Sequence, residues 1–130
     1  MKKPESTVFV RDTRDKIGKH DNVDNYLSSQ GHKIVRTKMY VGDVTLLHNQ
    51  TVCIDLKRDL MEVVGNLTQQ HKRFKAECQK AKESGIRLII LVEHGKGIKT
   101  IEDVRSWENP RLNVSPYAVS GERLYKIMST

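Results

Sequence analysis

Residues 86–92, with the sequence IRLIILV, constrain the fold of this chain more than any other segment. The run is almost wholly apolar, and it lies between Gly85 and a turn at residues 95–97. A short apolar run with glycines at both ends is typical of a strand that is covered on both faces. We therefore expect this strand at the centre of a sheet that has other layers on both sides.

The rest of the chain alternates between strand and helix patterns. The alternation predicts one three-layer α/β domain with a mixed central sheet and helices on both faces, which 130 residues can build. Because the last predicted helix ends two residues before the C-terminus, no strand follows it, as in a C-terminally truncated domain. Strands are predicted at 6–10, 32–39, 44–47 and 51–57, and helices at 23–31, 59–67, 68–85, 101–107 and 121–128.

The charge balance of the chain favours a polyanionic partner. The net charge is +7 and the pI is near 9.5, so nucleic acid is the first candidate and an ordinary basic surface is the alternative. No apolar run is long enough to span a membrane, so no membrane partner is expected. Two cysteines on unlike elements predict a reducing, cytoplasmic setting, and five histidines without ligand spacing are predicted on the surface.

The segment TVCIDLK carries the strongest indication of chemistry. A strand period of two places Cys53, Asp55 and Lys57 on one face, which we expect to be polar, and leaves the other face for the core. The carboxylate can hold a divalent cation while the ammonium orients a water molecule beside it. An ion pair on a half-exposed strand is the simpler alternative.

The register of the predicted hairpin decides whether a second carboxylate joins Asp55. If Leu47 pairs with Thr51, Asp43 lies opposite Asp55, and both carboxylates point to one face. A two-residue loop would instead pair Asp43 with Leu56 and separate the two carboxylates. Directly opposed side chains have Cβ atoms about 4.5–5.5 Å apart, so the first register predicts an all-oxygen site for Mg²⁺ or Mn²⁺.

Several motifs taken together resemble the nuclease domain of the XPF/Hef type, a branch of the restriction-endonuclease-like PD-(D/E)XK fold. The resemblance covers residues 8–93 and implies a magnesium-dependent endonuclease that cuts branched, flapped or junction DNA. It also implies a homodimer, a partner subunit or a helicase, and nucleoid-associated or phage-infected host cytoplasm as the location. The motifs are, in chain order, VRDTRD, VGD, IDLK, VVGNL, RFKAECQ and LIILVE.

Carried over by position, the resemblance assigns a role to each acidic residue. Asp12 and Asp15 fall on the first acidic motif of the family, where Asp15 replaces a glutamate, and Asp43 falls on the metal-binding aspartate. The catalytic lysine of the family aligns with Lys57, and its preceding acid aligns with Asp55, another aspartate in place of glutamate. The implied catalytic residues are Asp12, Asp15, Asp43, Asp55 and Lys57, with Asp43 and Asp55 as the metal ligands.

Further positions depart more from the family pattern. Glu62 matches the last acidic residue of the family only with a one-residue insertion, and Leu56 stands where the family has arginine. Glu77 falls where the family often has glutamine; a surface pair with Lys80 or Arg73 is the alternative. The basic residues of the helix predicted at 68–85 and of the loop at 12–19 are expected to contact the DNA backbone, and the DNA-binding candidates are Arg14, Lys72, Arg73 and Lys75.

Three classes of function remain open from the sequence. A metal-dependent endonuclease is favoured because Asp43, Asp55 and Lys57 are all present. A catalytically inactive DNA-binding or scaffold module with the same fold is the second class. An RNA-binding or protein-interaction domain is the third, and it predicts no metal site.

Overall fold

The computed structural model describes residues 6–130 and contains a five-stranded mixed sheet. The strand order is β2-β1-β3-β4-β5, in which β1–β2 and β4–β5 are parallel and the two central pairs are antiparallel. The α/β class and the mixed sheet predicted from the sequence are confirmed. The strands are β1 (Val8–Asp12), β2 (Lys33–Thr37), β3 (Val44–Leu46), β4 (Val52–Lys57) and β5 (Arg87–Val92).

Four α-helices accompany the sheet, close to the predicted positions. Asp59 caps the second helix by accepting a hydrogen bond from the Glu62 backbone, and Ser120 caps the fourth in the same way. Within residues 6–130, no helix has the length and apolar character needed to cross a bilayer. The helices are α1 (Asp21–Ser29), α2 (Leu60–Leu67), α3 (His71–Glu83) and α4 (Gly121–Met128), with 3₁₀ turns at Glu102–Ser106 and Pro110–Asn113.

The central position predicted for residues 86–92 is wrong, because β5 is an edge strand. Its side chains are also far from covered: Ile89, Ile90 and Leu91 are 39%, 37% and 43% exposed. The apolar run correctly indicated a strand. It contained no information about which strands lie beside it, because neighbours in a sheet are set by contacts between distant segments.

The division of β4 into a core face and a polar face also needs correction. Cys53 belongs to a buried cluster beneath α3, whereas Val52 on the supposed core face is exposed. Asp55 and Lys57 are only 5% and 7% exposed, because α2 and α3 cover this side of the sheet. The buried members of the cluster are Val10, Met39, Val41, Cys53 and Ala81.

A second hydrophobic core joins the C-terminal segment to α2. Leu124 of α4 is completely buried there, and Trp107 packs at the edge. The last helix therefore docks on the 3₁₀ turn Glu102–Ser106 and shares this core with α2. The buried residues of this core are Leu60, Val63, Val64, Val104, Val119 and Leu124.

We expect Gly121→Ala to destabilise the protein by about 1–3 kcal/mol, because a Cβ at Gly121 would overlap the backbone oxygens of Val104 and Trp107. Gly65→Ala is the matched control. Gly65 lies in α2 with open space around the added methyl group, so this change should stabilise by about 0.5–1 kcal/mol. Urea unfolding measures both, and equal effects would contradict the close packing of α4.

Candidate active site

The five residues predicted to be catalytic all line one open cleft of about 580 Å³. β1, β4 and the segment just before β3 contribute its floor, and α2 and α3 form its walls. Acidic side chains of the floor are surrounded by basic side chains at the rim. The charged lining residues are Asp12, Arg14, Asp15, Lys19, Asp43, Asp55, Lys57, Glu62, Arg73, Glu77 and Lys80.

The hairpin has the register that brings two carboxylates together. Val44 pairs with Ile54 and Thr45 with Cys53, so Asp43 lies opposite Asp55 and shares its face. The Asp43 N–H donates to the Ile54 carbonyl at 2.8 Å, one residue out of this register, and the Asp43 side chain lies within hydrogen-bonding reach of Asp55. The register with Leu47 opposite Thr51 is therefore confirmed.

Asp43 is held in an environment that resists ionisation. Its Oδ2 accepts a hydrogen bond from the Leu56 N–H at 2.8 Å, which favours the charged form. Burial has the larger, opposite effect; together with hydrogen bonding to Asp55 and the negative charges of Asp55 and Asp15, it raises the pKa of Asp43 to about 7. Two neighbouring carboxylates in a partly buried cleft thus favour a bound proton or a bound cation.

Asp55 and Lys57 form a close but imperfect ion pair. Lys57 Nζ lies 2.7 Å from Asp55 Oδ2 and 3.3 Å from Asn66 Oδ1. The angles at Asp55 Oδ2 do not suit a hydrogen bond, and this buried oxygen has no hydrogen-bond partner among residues 6–130. The neighbouring ammonium of Lys57 balances the charge of this oxygen, whose unused hydrogen-bonding capacity lets it bind a water molecule or share a metal ion.

The carboxylates of Asp43 and Asp55 suit a magnesium ion better than a metal ion whose ligands must all come from the protein. No group of three or more Asp, Glu, His or Cys side chains within the described part of the chain is arranged to hold a metal. Magnesium usually keeps several waters and binds one or two carboxylates together with substrate phosphate oxygens. Asp43 and Asp55 match that demand.

The other two predicted acids are already engaged by protein cations. Asp12 accepts from Arg14 Nε at 2.9 Å and from the Met39 N–H at 3.1 Å. Asp15 pairs with Arg11 Nη2 at 2.8 Å. These contacts orient the loop after β1 and bring both acids to the cleft, where they add negative charge beside Asp43.

Arg11, which the sequence analysis did not select, is the centre of this arrangement. Its side chain is completely buried, pairs with Asp24 of α1 at 2.7 Å, and donates to the Asp43 carbonyl at 3.0 Å. It therefore connects α1, the loop carrying Asp15 and the residue opposite Asp55. The sequence feature that could have indicated the role of Arg11 is the position of a charged residue at the end of a β-prone run, directly after Val10.

The prediction that all histidines lie on the surface is wrong for His20. This side chain is buried; its Nδ1 lies 2.7 Å from Glu93 Oε2, and its Nε2 lies 3.9 Å from Asp15 Oδ1. His94 is half-buried, and its Nδ1 accepts from the Leu60 N–H at 3.0 Å. Both positions depend on contacts with segments distant in sequence, which histidine spacing does not encode.

Glu62 and Glu77, the two further acidic residues considered from the sequence, make contacts at the walls of the cleft. Glu62 pairs with Lys19 at 3.3 Å. Glu77 Oε1 accepts from the Gly42 N–H at 3.1 Å, so it holds the turn before Asp43, and the predicted alternative of a pair with Lys80 or Arg73 is not observed.

The basic residues predicted to bind DNA lie in different surroundings. Helical spacing places Arg73 on the cleft side of α3, in line with Glu77. Lys72 and Lys75 are exposed and lie outside the cleft lining. Arg14 lines the cleft but is paired with Asp12.

Comparison with models of protein families, with curated proteins and with solved structures found no match to this chain.

We expect Asp43→Asn to stabilise the protein in EDTA, by about 1–2 kcal/mol at pH 8. The folded state keeps the Asp43 proton up to a pKa of about 7, whereas the unfolded chain releases it near pH 3.8. The free energy of unfolding therefore falls as pH rises between these values, and asparagine removes that loss. Thermal unfolding at pH 4.5 and 8 measures the effect; a gain that does not grow with pH would contradict it.

Proposed function

We propose that this protein is a magnesium-dependent endodeoxyribonuclease with the three-layer arrangement of the restriction-endonuclease-like fold. The observation that carries the proposal is the hairpin register, which sets Asp43 opposite Asp55 on one face, with Lys57 two residues further on. Two opposed carboxylates can hold a divalent cation, and a neighbouring ammonium can orient a water molecule beside it, as metal-assisted phosphodiester hydrolysis requires. The similarity of motif order over residues 8–93 supports the same reaction class.

Asp43 and Asp55 would hold the cation, and Asp55 Oδ2 is the oxygen without a hydrogen-bond partner in the described residues. Bound Mg²⁺ supplies a Lewis acid that polarises the scissile phosphate and lowers the pKa of a water molecule. Asp55 and Asn66 orient Lys57, whose ammonium would hold the attacking water. The centroid of the Phe74 ring lies 5.7 Å from this ammonium.

The substrate would be bound through its phosphates. Lys19, Arg73 and Lys80 line the cleft, and Lys72 and Lys75 extend the basic surface along the outer side of α3. Such a surface contacts the DNA backbone rather than base edges, so it favours recognition of DNA shape over sequence. Branched, flapped or junction DNA is the proposed substrate class.

We expect DNA affinity to fall steeply with salt, because each neutralised phosphate contributes about 0.9 to the slope of log affinity against log salt on duplex DNA. Arg73→Gln, Lys72→Gln and Lys75→Gln should each reduce the slope without changing sequence preference. Lys126→Gln, at an exposed position of α4 outside the cleft lining, is the control. Fluorescence anisotropy in EDTA measures binding, and a flat salt response would instead support a protein-interaction domain.

A non-catalytic DNA-binding module is the second candidate. It is favoured by the ion pairs that occupy Asp12 and Asp15, since these acids then stabilise the fold rather than take part in a reaction. Such a module would bind DNA with the same salt dependence but would leave it intact.

A nuclease assay separates the two candidates. Matched linear, flap and junction DNA, each labelled at one end, are incubated with protein and Mg²⁺, Mn²⁺ or EDTA. The endonuclease proposal requires cleavage with either metal, none in EDTA, and faster cleavage of the branched substrates. Binding without cleavage in all three conditions would support the non-catalytic module.

A further inference from the structure

The outer edge of β5 carries free backbone hydrogen-bonding groups. Arg87 and Glu93 donate their N–H groups to Thr51 and Lys57 at the β4 side, each at 2.8 Å. Because backbone groups of alternate residues point to opposite sides of a strand, the odd-numbered residues of β5 face β4. The N–H and C=O groups of Leu88, Ile90 and Val92 therefore point outward, and no strand within residues 6–130 pairs with them.

The side chains of β5 do not protect this edge. Proteins usually shield an open edge with lysine, proline, a bulge or a covering helix, and residues 87–92 contain neither lysine nor proline. Ile89, Ile90 and Leu91 are more than one third exposed. Leu91 also lines an apolar groove of about 290 Å³ together with Ile54. A pairing strand would cover the free backbone groups and part of these exposed side chains, whereas the groove lies on the face of the sheet beside α1.

We propose that β5 pairs antiparallel with β5 of a second copy of this chain, around a two-fold axis at Ile90. In this register Leu88 lies opposite Val92 of the other copy, and Ile90 lies opposite Ile90. All three outward-facing residues of each copy then exchange hydrogen bonds, about six in total. The two five-stranded sheets become one continuous sheet, and the interface is isologous, as a two-fold dimer requires.

Charge complementarity selects the same register. With Ile90 on the axis, Arg87 lies opposite Glu93 of the second copy, and Ile89 lies opposite Leu91 on the same face. Arg87 is exposed, and the Glu93 side chain is 20% exposed beside His20. A register centred on Ile89 would place Arg87 opposite Leu91 and leave Val92 without a partner. A register shifted by one residue would place a residue whose backbone groups face β4 opposite a residue of the second copy whose backbone groups point outward.

The position of Ile90 on the axis permits a test of the register itself. Ile90→Lys places two like charges opposite each other, and Ile90→Glu does the same with the other sign. Each variant alone should raise the dimer dissociation constant at least about a hundredfold. An equal mixture of the two should form a heterodimer with a dissociation constant within about tenfold of that of the wild type.

Sedimentation velocity from about 1 μM to about 100 μM measures the oligomeric state, and circular dichroism checks that each variant is folded. Val114→Lys, at a residue that is 81% exposed outside the sheet, is the control and should dimerise as the wild type does. The expected result is a dimer for the wild type, monomers for each Ile90 variant and a dimer for the mixture. A monomeric or aggregated wild type, a dimer of either variant alone, or a monomeric mixture would overturn the proposal.

Discussion

Asp55→Asn is expected to lower the rate of DNA cleavage on the order of a thousandfold while leaving the fold intact. The amide keeps the shape of the side chain but removes the negative charge that would hold the cation. Asp55 is buried in the cleft beside Lys57, so the change also releases that ammonium from its 2.7 Å ion pair. Lys57→Ala should reduce the rate comparably by removing the group that orients water. Initial rates on an end-labelled flap substrate with Mg²⁺ measure both effects.

The matched control is Asp21→Asn, because Asp21 is an exposed carboxylate on α1 outside the cleft. This variant should cut at the wild-type rate. Thermal unfolding and DNA binding in EDTA establish that Asp55→Asn is folded and still binds substrate. If a folded Asp55→Asn protein cuts as fast as the wild type, the assignment of the active site is wrong.

Arg11→Met is expected to cost about 3–5 kcal/mol of stability, the largest effect on folding that we predict. Its guanidinium is completely buried between Asp15 and Asp24, and it also donates to the Asp43 carbonyl. Methionine fills a similar volume but leaves the two carboxylates without their cation. Removing one partner of a buried ion pair is far more costly than replacing the whole pair. Guanidinium chloride unfolding measures the loss.

Arg105→Met provides the comparison, since Arg105 forms an exposed pair with Glu122 and its loss should leave stability nearly unchanged. The double variant Arg11→Met/Asp15→Asn should recover part of the lost stability, because it also neutralises one of the two carboxylates that Arg11→Met leaves without a cation. If Arg11→Met is no more destabilising than Arg105→Met, Arg11 does not have the structural role assigned to it.

The local pattern of the chain was sufficient for the elements, and it reduced the pair of acids to a choice between two hairpin registers. Each predicted strand and helix occurs close to its place, because alternation and helical spacing depend on residues near one another in sequence. The proximity of Asp43 and Asp55 is also a local property. Asp43 and Asp55 share a face because Val44 pairs with Ile54. The hairpin that joins the two acids spans only the thirteen residues from 43 to 55.

The tertiary structure alone decided the surroundings of that pair. The edge position of β5, the burial of His20 against Glu93, and the role of Arg11 between α1 and the cleft all join segments far apart in the chain. Periodicity records which side of an element is apolar, but it does not record which element lies there. Sheet order and buried ion pairs depend on the packing of the whole chain, and for that reason only the folded structure revealed them.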